Sequence, residues 1–286
     1  MAKDTFLNRK STVNVNGRLI DLSTPTVMGI LNITPDSFFT GSRIATVDDA
    51  LIKAEGFLKA GATFLDIGAY SSRPGAEDVN TDEELSRLIP VIEKLTAEFP
   101  EAILSVDTFR AKVANECILA GAHIINDIGA GTLDDAMFET IAQLQVPYII
   151  MHMRGMPKTM QQYAAYDDIT LEVIDYFQPK IAALWALGVK DIIIDPGFGF
   201  AKKPDHSYKL LNELEDLLLF ELPVLVGVSR KSMIYRFLDI PVQDAMNGTT
   251  VLNTIALLNG ASILRVHDVR AAAECIALVQ KTLTWQ

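Results

Sequence analysis

Eight apolar runs of strand length follow one another along this chain, and seven are separated from the next by a stretch of helix length. Polar residues gather at the carboxyl ends of those runs. In a chain of 286 residues with no break in composition, these observations predict an α/β fold, a (βα)8 TIM barrel with an N-terminal β-hairpin; such barrels typically take ~250 residues. Residues 1–286 are expected to form one domain, with 1–24 as the hairpin extension. A doubly wound open sheet is the runner-up, but it would not need eight successive parallel strands, and no dinucleotide-binding GxGxxG follows the first of them.

The hairpin is read from Val13, Val15, Leu19 and Ile20 around Asn16-Gly17, a pair that favours a type I′ turn. It is placed over the bottom of the barrel. The strands that follow are TVMGILN to Asn32, TFLDIGA with Asp66, AILSVD to Asp107, HIINDIGA with Asn126 and Asp127, VPYIIMHM to His152, DIIID to Asp195, PVLVGVS to Ser229, and SILRVHD with Arg265, His267 and Asp268. Between them lie helical stretches with acidic or capping starts at Thr46, Thr81, Asp134-Asp135 and Asp167-Asp168. Acids there meet the positive end of the helix dipole. Gly61, Gly121, Gly188 and Gly260 fall where a helix gives way to the next strand, the place of a C-cap glycine.

The stretch DIIIDPGFGFAKK, 191 to 203, carries the clearest local message. Ile192, Ile193 and Ile194 read as a strand buried on both faces, and Asp195-Pro196-Gly197 ends it abruptly. A carboxylate at that position is costly to bury unless it is paired, hydrogen-bonded or meets a ligand. One such Asp is as compatible with capping as with function. The pattern recurs, however: Asn32, Asp66, Asp107, Asn126, His152, Asp195, Lys231, Arg265 and His267 all fall at strand ends or just beyond, the face on which barrel enzymes build their sites.

Two sets of side chains stand out on that rim. Asp107, Asn126 and Asp195 supply the acceptors that a flat, donor-rich heterocycle needs, since a carboxylate takes two parallel N–H bonds from an amino-pyrimidine edge. Arg73, Arg230-Lys231, Arg265 and His267 supply cations for an anionic, phosphorylated substrate. Asp66 resembles a bracing residue more than a contact, and Arg230 and Arg154 are the arginines best explained by structural ion pairs. The segments 32–42 and SSRPGAEDVN suit lids over a barrel mouth. Asn32 offers a neutral oxygen to Mg²⁺, which takes few protein ligands and the rest from phosphate and water.

Composition narrows the function classes. A net charge of −11 argues against a nucleic-acid partner. No apolar run approaches the ~20 residues of a membrane span, and the start lacks a signal-peptide core, so a soluble cytoplasmic protein is expected. Cys117 and Cys275 have neither CxxC nor histidine partners, which makes both core thiols rather than disulfide or zinc ligands.

The motifs MGILNITPDSF (28–38), SSRPGA (71–76), SVDTFR (105–110), INDI (125–128), MHMRG (151–155), IIIDPGFGF (192–200), GVSRKS (227–232) and RVHDV (265–269) closely resemble the bacterial dihydropteroate synthase family. The resemblance implies condensation of dihydropterin pyrophosphate with p-aminobenzoate, assisted by Mg²⁺, in a homodimer. It assigns Asp107, Asn126, Asp195 and Lys231 to the pterin and Asn32 to the metal. Arg265 and His267, with Ser72 and Arg73, go to the pyrophosphate, and Phe200 with Ser232 to p-aminobenzoate. Asp36, Asp107 and Lys231 become the catalytic set. Tyr70 departs from the Glu common in relatives. A methyltetrahydrofolate:corrinoid methyltransferase and a noncatalytic pterin-binding barrel are the rival readings; SRKS with RVHDV argues against the first, and the intact TPDSF and SSRPGA segments against the second. Replacing either Cys117 or Cys275 by Ser is expected to leave turnover intact. Loss of activity in a folded variant would give that thiol a role.

Overall fold

The structure is a computed structural model describing residues 10–33, 46–70 and 79–284. It begins with the hairpin, β1 (Thr12–Val15) and β2 (Arg18–Asp21). Asn16 and Gly17 have φ of 50° and 85°, the left-handed pair that defines a type I′ turn, and the Asn14 side chain accepts from the Gly17 amide at 2.8 Å.

Among the described residues, eight parallel strands follow: β3 (Thr26–Asn32), β4 (Phe64–Gly68), β5 (Ile103–Asp107), β6 (Ile124–Asp127), β7 (Tyr148–Met151), β8 (Ile192–Asp195), β9 (Leu225–Val226) and β10 (Ile263–Val266). Their order is β8-β7-β6-β5-β4-β3-β10-β9. A parallel bridge between Ile194 and Val224 brings the two edges together, so the sheet curls into a barrel. Helices α1 (Val47–Lys59), α2 (Thr81–Glu98), α3 (Ala111–Leu119), α4 (Met137–Leu144), α5 (Ile169–Ala186), α6 (Pro204–Asn212), α7 (Ser232–Tyr235), α8 (Met246–Leu258) and α9 (Val269–Thr284) lie between and after the strands. No described helix is long and apolar enough to cross a membrane.

The local chemistry explains most boundaries. Thr46 and Asp49 form a capping box at α1, Asn80 caps α2 through the Glu83 amide, and Asp168 caps α5 through the amides of Thr170 and Leu171. Asp134 differs from expectation. Its carboxylate accepts from the Ala111 amide at 2.8 Å and from the Ala136 amide at 3.1 Å, so it caps the neighbouring helix α3, while α4 starts only at Met137. The run PVLVGVS also yields a strand of two residues, because the chain turns back on itself, the Lys231 amide donating to the Val228 carbonyl. Cys117 and Cys275 are both buried, and burial lifts the Cys117 thiol to about 12.

The amino-terminal mouth of the barrel is plugged. Val13, Val15, Ile20 and Leu22 of the hairpin segment pack against Met28, Phe64, Ile103, Ile124, Ile149, Ile193, Leu225 and Ile263, one residue from each barrel strand. This layer is apolar throughout, so the polar strand ends face the opposite mouth. Phe64 is fully buried within it. Phe64→Ala is expected to cost about 3–5 kcal/mol, the usual range for emptying a buried aromatic site, with the carboxyl-end rim unchanged; urea unfolding and substrate titration check the two halves.

Candidate active site

The register of the ladder lines up polar residues at the carboxyl-end mouth. Asn32 pairs with Gly68, Gly68 with Asp107, and Asp107 with Asn126. Gly68 leaves room for its neighbours: an added Cβ there would come within 3.4 Å of the Asp107 side chain and 3.7 Å of the Asn32 amide oxygen.

At the centre is Asp66, wholly buried in β4. Its carboxylate accepts from Ser105 Oγ at 2.6 Å, from Asn126 Nδ2 at 3.1 Å and from Arg265 Nε at 2.6 Å. Arg265 also donates from Nη2 to Asp107 at 2.8 Å. One guanidinium therefore spans two carboxylates, and Asn126 has its amide nitrogen engaged while its oxygen points the remaining way. Burial raises the Asp107 carboxyl above the ordinary range, with Arg265 opposing it.

Asp195, at the end of β8, accepts from the Gly197 amide at 2.7 Å. Burial raises its carboxyl and Lys231 opposes the rise, while burial pushes the Lys231 amine down to about 8 against the pull of Asp195. Lys231 donates to the Phe198 carbonyl and lies 4.8 Å from the centre of the Phe200 ring. It is placed by Arg230, whose φ of 52° is left-handed. That conformation costs a non-glycine residue roughly 1–2 kcal/mol. The Arg230 guanidinium holds it there with a bidentate pair to Asp268, at 2.8 and 2.9 Å, and with bonds to the carbonyls of Val242 and Gln243. Ser232, the first residue of α7, follows directly.

His267 lies just past β10. Its backbone amide donates to Ser229 Oγ at 3.2 Å and its Nδ1 is 3.1 Å from the same hydroxyl. Burial and Arg265 depress the imidazole to about 3, so it is neutral. A Ser229 hydroxyl proton given to Nδ1 would leave the ring N–H at Nε2, where it could donate to an anion.

Residues 28–267 match the family described as "Pterin binding enzyme". Dihydropteroate synthase of Escherichia coli K12 is 44% identical over 270 residues, 94% of this chain and 95% of that protein. The chain belongs to the dihydropteroate synthase family. The Yersinia pestis family member in complex with a sulfonamide drug superposes with a TM-score of 0.92 at 44% identity, covering 96% of this chain and 99% of the other. The Xanthomonas albilineans member in complex with 7,8-dihydropteroate superposes at 0.82 with 33% identity, covering 96% and 99%.

Of the residues singled out from sequence, the structure gathers Asn32, Asp107, Asn126, Asp195, Phe200, Lys231, Ser232, Arg265 and His267 on the segments that frame this one mouth. Asp36, Ser72 and Arg73 lie outside the described residues. Asp127 is a brace, accepting from Tyr148 Oη at 2.6 Å and the amides of Gly129 and Gly131. Arg154 pairs with Glu172. Sequence reasoning passed over Lys202 and read His152 as part of the rim. Lys202 is only 3% exposed although it stands in a run of ordinary appearance, and His152, read as a rim residue, is fully buried beside it. No local signal in the sequence separates Lys202 from its exposed neighbour Lys203.

Two expectations follow. Asp66→Ala strands Arg265 with a single carboxylate and leaves Ser105 and Asn126 unpaired, so it is expected to cost about 3–5 kcal/mol, the range for breaking a buried pair, and to abolish turnover; chemical denaturation and an activity assay check this. His152 is held neutral by burial, its imidazole depressed to about 2. A depressed imidazole contributes stability above the unfolded value near 6.5 and loses it as pH falls. Stability should therefore drop below pH 6.5 by up to about 1.4 kcal/mol per pH unit from this group, and His152→Gln should flatten that slope in unfolding measured from pH 7 to 4.

Proposed function

We propose that the protein joins (7,8-dihydropterin-6-yl)methyl diphosphate to 4-aminobenzoate, forming 7,8-dihydropteroate and diphosphate in folate biosynthesis. The observation that carries this reading is the division of one barrel mouth into an acceptor side, Asp107, Asn126 and Asp195, and a side of cations and donors, Arg265 and Lys231 with the neutral His267 beside them. The first side suits the amino and ring N–H groups of a pterin. Asp195 retains an oxygen beyond the one given to Gly197, and Asn126 retains its amide oxygen. The second side suits a leaving diphosphate.

The residues support a dissociative substitution. The methylene C–O bond breaks with its electron pair going to diphosphate, which Arg265 and the Nε2–H of His267 stabilise. The cationic methylene left on the pterin lies where Asp107 offers negative charge. Asp36, outside the described residues, is assigned the same task by the family resemblance. The aryl amine then attacks through its lone pair, the C–N bond forms, and its proton is released. Phe200 and the Lys231-Ser232 backbone flank the aminobenzoate and Lys231 holds the pterin ring, while Ser72 and Arg73, outside the described residues, are assigned to the diphosphate by the family resemblance.

Mg²⁺ fits this site as a cation shared with substrate. No cluster of three or more acidic, histidine or cysteine ligands occurs among the described residues, yet the Asn32 amide oxygen and the Asp107 side chain both border the space above Gly68, and Mg²⁺ binds comfortably through one or two protein oxygens plus phosphate and water. Bound there, it would neutralise charge on the departing diphosphate. A cytoplasmic homodimer completes the reading. Val251, Ile255 and Leu258 are exposed on one face of α8, and Leu278 of the adjacent α9 is 70% exposed; a second copy would cover them. The net charge of −11 fits small-molecule substrates without nucleic acid.

The test is diphosphate release from purified protein given the dihydropterin diphosphate, with and without 4-aminobenzoate and Mg²⁺. Release that requires both is expected. Tight pterin binding without release would favour a noncatalytic or methyl-transferring barrel.

A further inference from the structure

Every carbonyl from Gly197 to Ala201 has a side-chain donor. Gly197 and Phe200 are bonded by Lys202 Nζ at 3.0 and 3.2 Å, Phe198 by Lys231, Gly199 by Gln161 at 3.1 Å, and Ala201 by Tyr166 Oη at 2.9 Å. Loops seldom need so many. This one contains three left-handed residues, Gly197, Gly199 and Ala201, with φ of 70°, 81° and 48°, and the last is an alanine with a steric penalty to offset. Gly197 lies so close to the preceding strand that an added Cβ would come within 2.1 Å of the His152 carbonyl.

Lys202 is the one donor that serves two of these carbonyls. Its ammonium also meets His152 Nδ1 at 2.7 Å and the His152 carbonyl at 3.3 Å. The imidazole is set edge-on to Tyr176 at 4.7 Å, with Tyr166 at 6.1 Å, which aims Nδ1 at the amine. Burial pulls the Lys202 amine well below the ordinary lysine range, and a buried amine with no direct carboxylate bond is expensive to keep even among acceptors. It is retained where the geometry it imposes matters.

We propose that Lys202 is a positioning residue: with His152 as its anchor, it clamps the Gly197 and Phe200 carbonyls and thereby sets the Phe200 ring against the Lys231 ammonium, fixing the aromatic wall that receives the aryl amine. The inference rests on the reaction proposed above and adds to it a residue that touches neither substrate. Lys202 acts through the loop alone. The pterin-facing Asp195 precedes the clamp and keeps its own bond to the Gly197 amide.

Lys202→Met keeps the length of the side chain and removes its donors. The expected result is a rise of about tenfold in KM for 4-aminobenzoate, the scale of a lost charged hydrogen bond, while KM for the dihydropterin diphosphate stays within about twofold. Tyr166→Phe, which releases the Ala201 carbonyl and is conservative enough to fold, should move the same KM in the same direction by about two- to threefold. A crystal structure of either variant gives a readout independent of turnover: the Phe200 ring should be displaced or split between positions. An unmoved Phe200, an unchanged aminobenzoate KM, or equal rises in both KM values in folded protein would overturn the proposal. Failure of the wild type to form dihydropteroate would instead sink the reaction, and the Phe200 position would still decide the clamp.

Discussion

A single buried carboxylate holds the working end of this barrel together. Asp66 binds Ser105 of β5, Asn126 of β6 and Arg265 of β10 from its own place in β4, so four strands meet at one group. Two neutral hydrogen bonds and the Arg265 guanidinium offset the desolvation cost of this fully buried carboxylate. The neighbours gain fixed orientations in return. Arg265 is aimed across to Asp107, and Asn126 has its amide nitrogen fixed on Asp66. Residues that would contact a substrate are thus set by one that does not.

The opposite side of the mouth depends on backbone geometry. Arg230 and Ala201 both occupy left-handed conformations, each held by polar side chains, and between them they deliver Lys231 and Phe200 to the same place. The two halves meet through charge: Asp195 and Arg265 oppose one another across Lys231, each shifting its affinity for a proton. Such balanced clusters keep charged groups buried at tolerable cost while leaving oxygens and N–H groups available to a ligand.

Much of this was legible in the sequence because it follows from short-range chemistry. The hairpin follows from Asn16-Gly17, the barrel from repeated apolar runs, and the rim from polar residues at their ends. Asp66 reads as a brace and Arg230 as an ion-pair partner, and both are so. Lys202 was not legible, since nothing in FAKKP distinguishes it from the exposed Lys203; its burial arises from the way the loop folds back over His152. Asp134 misleads for a related reason. Its nearest helix in sequence is not the helix whose amide it reaches. Arg265, read as a phosphate ligand, is also an internal strut between two carboxylates, a role set by contacts 158 and 199 residues away in the chain.

The hairpin plug has a kinetic meaning. With eight strand residues and four hairpin side chains sealing one end, the barrel is a cul-de-sac: arrivals and departures share a single doorway. Whatever the carboxyl-end mouth binds has no second route through the plugged amino-terminal end. Sealing the far end of the barrel thereby leaves all exchange with solvent to the near one.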